Sequence, residues 1–449
     1  MTEVKKNDGL FYLLFKYLLE EIPFVVLRNY DALPNKPLPL SDVDLLIRKK
    51  DRKKYLLVLK KVAAKTESFI LAKFDQSNCL SCFVYQKNTL NGGVWLDAFT
   101  ELSSKGFVWA DSHSLIERRF FRPEKGFFTL TKGAEAATLF IKEIFSHSFI
   151  KERYLSRIPD LVRSDKQNFR ETLKPFFSEK TIQGMIDICL NGEWTKAIKR
   201  RKIWFFGLVL TSFLKKPFDQ TYALLNFSWS HFKKAISLKG LTVIFMGPDG
   251  VGKTTAGQKL KEDLKNLPYK KIYEYHGHIG FFPEWRKVYQ LIFKKEKKRQ
   301  EDFPRQEKKV GVLRATLSLL YYGIEHFLAW PWILWLKIRG NLVIFDRYFY
   351  DFATLNVSSK LPLKLFWFLT KFIHRPDLTF IMQAAPETIY SRKKELVLGE
   401  IKRQSGLFKD ARILDLTSAI CIASEESPEA VSTRVKEEIF KNLSKRYNN

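Results

Sequence analysis

Midway along the chain, Gly247-Pro248-Asp249-Gly250-Val251-Gly252-Lys253-Thr254 matches the spacing GxxxxGK[ST], and Thr255 follows it. Each fixed position has a chemical reason. Glycines let successive backbone N–H groups converge on phosphate oxygens. A helix starting at Lys253 would turn its positive end toward the same anion, Lys253 would reach the β- and γ-phosphates, and the Thr254 hydroxyl would ligate magnesium. The ligands expected of residues 247–255 are therefore ATP and Mg2+. A second set of reactive residues lies far upstream. In Ser41-Asp42-Val43-Asp44-Leu45-Leu46, strand alternation puts Asp42 and Asp44 on one face, and Asp97 in Trp95-Leu96-Asp97-Ala98-Phe99 brings a third carboxylate across the sheet.

Both sets depend on the elements around them. The apolar run Leu241–Met246 directly precedes the glycines and a helical pattern follows, so strand, phosphate loop and helix come in the required order. Runs 342–345 and 378–382 read as buried parallel strands separated by long helical segments. This is α/β alternation, and it predicts a P-loop NTPase three-layer domain with a parallel sheet over residues 239–449. Upstream, an amphipathic opening near 10–21 leads to strands at 24–27 and 45–47, and runs 83–86 and 94–99 flank the turn signal Asn91-Gly92-Gly93. From Gly133 to about Ile236 the pattern is mainly helical. Residues 1–238 therefore form an α+β domain with a helical extension, and the boundary falls near Lys239-Gly240.

Two domains also suit a chain of 449 residues, because one core seldom grows so large. Hydrophobic content of 45%, with 39 Phe and 10 Trp, excludes a disordered chain. A net charge of +29 calls for an anionic partner: nucleotide, nucleic acid or an acidic membrane surface. No RNA- or DNA-binding motif supports nucleic acid. The densest basic runs, 199–202 and 294–299, read as solvated helix faces. Of two long apolar stretches, 203–214 is shorter than the ~20 residues a bilayer needs. The other, 315–338, carries Glu325, His326 and the helix breaker Pro331. Core burial is expected of both, while Trp330, Trp332 and Trp335 beside basic residues leave peripheral contact with an anionic membrane open. Only four cysteines and no apolar leader point to a reducing cytoplasm, with the inner face of the membrane as the place for any peripheral contact. Cys79 and Cys82 read as strand residues rather than metal ligands.

Longer motifs surround the phosphate loop: Arg339-Gly340-Asn341-Leu342-Val343-Ile344-Phe345-Asp346-Arg347-Tyr348, then Pro376-Asp377-Leu378-Thr379, then Pro386-Glu387 followed by Arg392, Lys393, Lys394 and Arg403. With the loop, they resemble thymidylate kinase over nearly all of residues 240–425. The resemblance implies that Asp249 contacts the acceptor sugar hydroxyl or a magnesium-bound water, Asp346 helps organise the metal, and Arg347 holds the acceptor phosphate. Arg392 and Arg403 would close over the transferring group as a lid, their guanidinium forks matching its oxygens. The implied reaction is ATP + dTMP to ADP + dTDP, driven by positioning and charge neutralisation.

The chain also departs from that family. Asp351 and Thr354-Leu355-Asn356 replace the family's serine and base-reading run. Tyr321 falls at the base-stacking aromatic, but Glu325 falls where a base-contacting arginine is usual, and the stretch 275–309, with His276 and His278, is expanded. These features look more like a divergent bacterial branch met among surface-polysaccharide genes. The acceptor is then dTMP or a related phosphorylated molecule, or alternatively the domain is a kinase or ATP-binding regulator acting on a sugar or lipid-linked glycan intermediate. In the first half, Asp42, Asp44 and Asp97 resemble the nucleotidyltransferase superfamily, whose carboxylates hold two metal ions around a nucleoside triphosphate. Leu27-Arg28-Asn29-Tyr30 replaces the usual Gly-Ser pair. That leaves either an active transferase with Arg28 as a phosphate contact or a fold kept without activity.

Overall fold

A computed structural model of the chain describes residues 9–35, 42–86, 92–215, 217–236, 240–265, 267, 269–293, 311–354, 363–394 and 396–448. Ser41, Asn91, Lys239, Leu355, Asn356 and the basic run 294–299 lie outside the described residues. The chain forms two compact units, one of Met1–Ala235 with Leu443–Asn449 and the other of Ile236–Asn442.

In the first unit the strands are β1 (Phe24–Val26), β2 (Val43–Ile47), β3 (Ser68–Asp75), β4 (Cys79–Gln86), β5 (Gly93–Phe99), β6 (Leu102–Ser104), β7 (Phe107–Ala110), β8 (Phe120–Arg122) and β9 (Phe127–Thr129). Seven make a mixed sheet in the order β3-β4-β5-β2-β1-β9-β8, while β6 and β7 pair separately. Every residue of β1 and β2 is buried because successive side chains enter different cores. Phe24, Val26, Leu45 and Ile47 pack with Leu14 and Leu18 of the helix Leu10–Glu21 and Leu59 of the helix Arg52–Lys65. Val25 and Leu46 pack with Phe140, Phe169, Ile186 and Trp204 of the helical extension. Cys79 and Cys82 are buried on β4 as free thiols.

Among the described residues, five strands build the second unit: β10 (Leu241–Met246), β11 (Ile272–His276), β12 (Leu342–Asp346), β13 (Leu378–Gln383) and β14 (Ile420–Ala423). They are all parallel, in the order β11-β12-β10-β13-β14. Apolar side chains fill β10, β12 and β13 almost throughout, as a parallel sheet requires. Ile244, Met246, Val343, Phe345 and Ile381 share a core with Leu319, Ile333 and Leu336 of the helix Val312–Ile338.

Core burial of the two apolar stretches holds for one face only. The helix Val312–Ile338 runs unbroken through Pro331, since Ala329, Ile333 and Leu336 are anchored on either side of the missing backbone donor. Its other face exposes Phe327, Leu328, Trp330 and Trp335. The stretch 203–214 lies in the helix Trp194–Lys215, which buries Trp204 and Leu208 but leaves Ile203, Phe206 and Leu214 in solvent. No helix among the described residues is long and apolar enough to cross a membrane.

Phe345 is fully buried, its ring 5.1 Å from both Tyr275 and Tyr348. Phe345→Ala is expected to destabilise the second unit by about 3–5 kcal/mol, as a lower denaturant midpoint with little change in the first unit's transition.

Candidate functional site

β10 delivers the chain at Met246 into a loop whose backbone demands glycine. Gly247, Gly250 and Gly252 all have positive φ, at 145°, 87° and 103°, where a side chain would strain the backbone. A Cβ on Gly247 would also stand 2.8 Å from the Met382 carbonyl oxygen. The helix Lys253–Asp263 begins at once, and no side chain caps its first turn. The N–H groups of its first turn therefore face the loop and suit an anion. Lys253 is buried, and its Nζ donates to the Gly247 and Pro248 carbonyls, each at 2.8 Å.

Parallel register supplies the partners. Asp346, the last residue of β12, pairs with Phe245 of β10 and His276 of β11. It therefore sits at the carboxyl edge of the sheet, beside the loop, where open α/β sheets bind ligands. The Thr254 hydroxyl donates to Asp346 Oδ2 at 2.5 Å, and His276 Nδ1 lies 3.6 Å from the same oxygen. Asp346 Oδ1 is buried with no hydrogen-bond partner among the described residues. A hydroxyl beside a carboxylate with a spare oxygen fits the hard, oxygen-preferring Mg2+ ion.

Arg347 follows in the left-handed region, φ 73°, held there as its N–H donates to the Phe245 carbonyl at 2.9 Å. Such a conformation is costly for arginine and turns its guanidinium back onto Asp249, with which it forms an ion pair. Asp351 is buried behind this pair. Its Oδ2 accepts from the Tyr348 N–H at 3.2 Å, and Oδ1 has no partner among the described residues. Burial pushes its carboxyl up to about 6, against the opposing pull of Arg347 and Lys253.

Asp249, Gly250, Val251, Gly252, Lys253, Thr254, Thr255, Asp346, Arg347 and Arg392 line one cavity of about 600 Å³. Ser424 and Glu426, just beyond β14, also stand in its wall. They escaped the sequence reading because no motif marks them; the signal was their place after a short apolar run in a parallel sheet. Arg392 is anchored on the Ser424 and Glu425 carbonyls, at 2.8 and 3.2 Å. Arg403 is not brought to the cavity wall. Its guanidinium grips Glu400 with two hydrogen bonds of 2.7 Å and donates to the Thr354 carbonyl at 3.0 Å.

The residues aligned with a base pocket are also engaged. Glu325 is fully buried, and its Oε1 accepts from the N–H groups of Gly280 and Phe281, at 2.9 and 3.1 Å. The Tyr321 hydroxyl donates to the Pro283 carbonyl at 2.6 Å. Glu325 thus fastens the expanded stretch to the helix, a role that no residue type announces.

In the first unit, Asp44 and Asp97 are Cα partners on parallel β2 and β5, and Asp42 lies just before β2. Arg28 forms an ion pair with Asp44, and Lys142 Nζ stands 3.8 Å from it. Burial, then the Asp44 charge, pushes the Asp97 carboxyl up to about 6, and its Oδ1 has no partner among the described residues. Among the described residues no three His, Cys, Asp or Glu side chains are arranged to hold a metal ion. Asp44 is instead paired with the cations Arg28 and Lys142.

No family model matches the chain. A protein described as a probable thymidylate kinase, from Staphylothermus marinus, is 26% identical over 158 residues, which are 35% of this chain and 70% of that protein. Over this part the chain is thymidylate kinase-like. Two solved thymidylate kinases are also similar, each at 18% identity. The one from Ehrlichia chaffeensis covers 44% of this chain and 97% of its own at a TM-score of 0.31. The one from Candida albicans covers 46% and 94% at 0.34.

A carboxyl with a raised folded-state pKa favours the fold while protonated. Asp351 therefore adds stability below its unfolded value of about 4 and loses it as pH climbs through about 6. Asp351→Asn keeps an acceptor for the Tyr348 N–H and removes the titration. Melting temperatures measured across this window should fall with pH more steeply in wild type than in the variant; parallel curves would contradict the assignment.

Proposed function

We propose that the second unit transfers the γ-phosphoryl group of ATP to a phosphorylated acceptor of the nucleoside monophosphate class, dTMP foremost, with Mg2+ as cofactor. The observation that carries this is the Thr254–Asp346 hydrogen bond of 2.5 Å beside the buried Lys253, within one cavity. The Thr254 and Asp346 oxygens would hold magnesium, which would supply charge neutralisation to the phosphates. Loop amides cradle the phosphate chain, and Lys253 turns from the loop carbonyls to the β- and γ-oxygens. Arg347, exchanged from Asp249 to the acceptor phosphate, orients it with its planar fork. Asp249 is then free to accept from an acceptor hydroxyl. Arg392 covers the transferring group from the cavity wall, whereas Arg403 braces the segment at Thr354.

An acceptor on a sugar or lipid-linked glycan is the second reading, favoured because Glu325 and Tyr321 are spent on the backbone of residues 280–283. For the first unit, the pairing of Arg28 and Lys142 with Asp44 favours a nucleotidyltransferase-like fold kept without metal-dependent transfer. Its buried free thiols suit a reducing cytoplasm.

Purified protein supplied with magnesium, ATP and each monophosphate in turn should release ADP above the acceptor-free rate with dTMP. If no nucleotide stimulates turnover while ATP still binds, the sugar acceptor takes its place. Lys253→Ala should lower transfer by about 10²-fold or more at an unchanged melting temperature; normal turnover would refute the phosphate-loop role.

A further inference from the structure

Two helices of the first unit carry large apolar residues on faces that no described residue of the unit covers. In the helix Pro217–Ile236, Phe218, Tyr222, Leu225, Trp229 and Phe232 recur every three or four residues, and each is more than half exposed. They form one stripe. The opposite face is fixed to the unit: Gln220 Nε2 donates to the Gly106 carbonyl at 3.0 Å, and Leu224 packs on the core. In the helix Trp194–Lys215, Ile203, Phe206, Leu210 and Leu214 repeat the pattern, each at least half exposed, opposite the buried Ala197, Trp204 and Leu208. Apolar side chains left in water add nothing to folding, and contiguous patches of them mark surfaces that a partner covers.

Charge identifies the partner. The helix Trp194–Lys215 contains six Lys and Arg and no acidic residue. Exposed Lys199 and Lys202 lie one turn before Ile203 and Phe206, in line with the stripe. On the other helix, the exposed Lys233 holds its ammonium 5.3 Å from the Trp229 ring centroid. Lysines beside an aromatic and aliphatic stripe are the pattern of helices lying in a bilayer interface, with apolar side chains below the headgroups and ammonium groups among the phosphates. A second copy of this chain fits poorly, because it would bring the same cationic helix and another net charge of +29 to the contact.

We infer that the helices Trp194–Lys215 and Pro217–Ile236 dock this protein on an anionic lipid surface. The apolar stripes supply insertion and the lysines select negatively charged headgroups. The surface is built by the first unit alone, so the inference is independent of the phosphoryl-transfer proposal.

The test is co-sedimentation of the full chain with vesicles of phosphatidylcholine alone and of phosphatidylcholine and phosphatidylglycerol in equal parts. Wild type should sediment with the anionic vesicles, weakly with the neutral ones, and less as salt rises. Phe218→Ser with Trp229→Ser should cut anionic partitioning by about tenfold or more. Lys199→Glu with Lys202→Glu should cut it while leaving the weak neutral binding unchanged. All four positions are exposed, so melting temperature and ATP binding should be unaltered, which separates lost docking from lost folding. Absence of wild-type binding to anionic vesicles would overturn the inference. So would a concentration-dependent dimer, seen by sedimentation velocity, that the serine substitutions abolish, since a second copy would then be the occupant.

Discussion

Thr254 and Asp346 stand 92 residues apart in the chain and meet through one hydrogen bond. Much of the second unit is explained by the need to make them meet. Thr254 is placed by the helix that must start immediately after the glycine loop, and Asp346 by the parallel register of β12 on β10. A slip of one residue in that register would turn Asp346 to the other face of the sheet. β10 and β12 are packed on both faces, so such a slip would force two cores to repack at once. Arg347 inherits its strained backbone from the same constraint: the chain must leave β12 sharply enough to present a guanidinium to the loop.

Charges in the cavity are arranged to neutralise one another. Lys253 rests on loop carbonyls and Arg347 on Asp249, so neither cation is left uncompensated in a partly buried site. Phosphate oxygens would replace these partners with stronger, charge-assisted ones. Asp351, buried and raised toward neutral pH, lies in the field of both cations. It occupies a position where a serine would carry no charge, which couples the electrostatics of the cavity to pH. The neighbourhood of Tyr321 has a different origin. Glu325 holds the expanded stretch by its backbone, so the surface there is shaped by residues 280–283 and not by the helix alone.

The legible parts of the sequence were those fixed by short-range chemistry. Gly247, Gly250 and Gly252 announced a loop with positive φ, and the apolar runs at Leu241–Met246 and 378–382 announced strands buried on both faces. Asp346 was legible because a carboxylate directly after an apolar strand reaches the sheet edge. What escaped depended on partners distant in sequence. Glu325 looked like a lost base contact and proved to be an acceptor for backbone N–H groups more than forty positions upstream. Arg403 looked like part of a lid, but Glu400 and the Thr354 carbonyl claim its guanidinium. Asp44 looked like a metal ligand, while nothing in the spacing told that Arg28 would pair with it. Pro331 suggested a break, yet the packing on both sides of it outweighed one lost hydrogen bond.

The most direct test of the account is the magnesium dependence of ATP binding, measured by calorimetry for wild type and for Asp346→Ala. If Thr254 and Asp346 seat the metal, wild type should bind ATP much more tightly with magnesium than with a chelator, and the variant should lose most of that difference while still binding free ATP. An undiminished magnesium effect in Asp346→Ala would contradict the account, because the metal would then be held elsewhere.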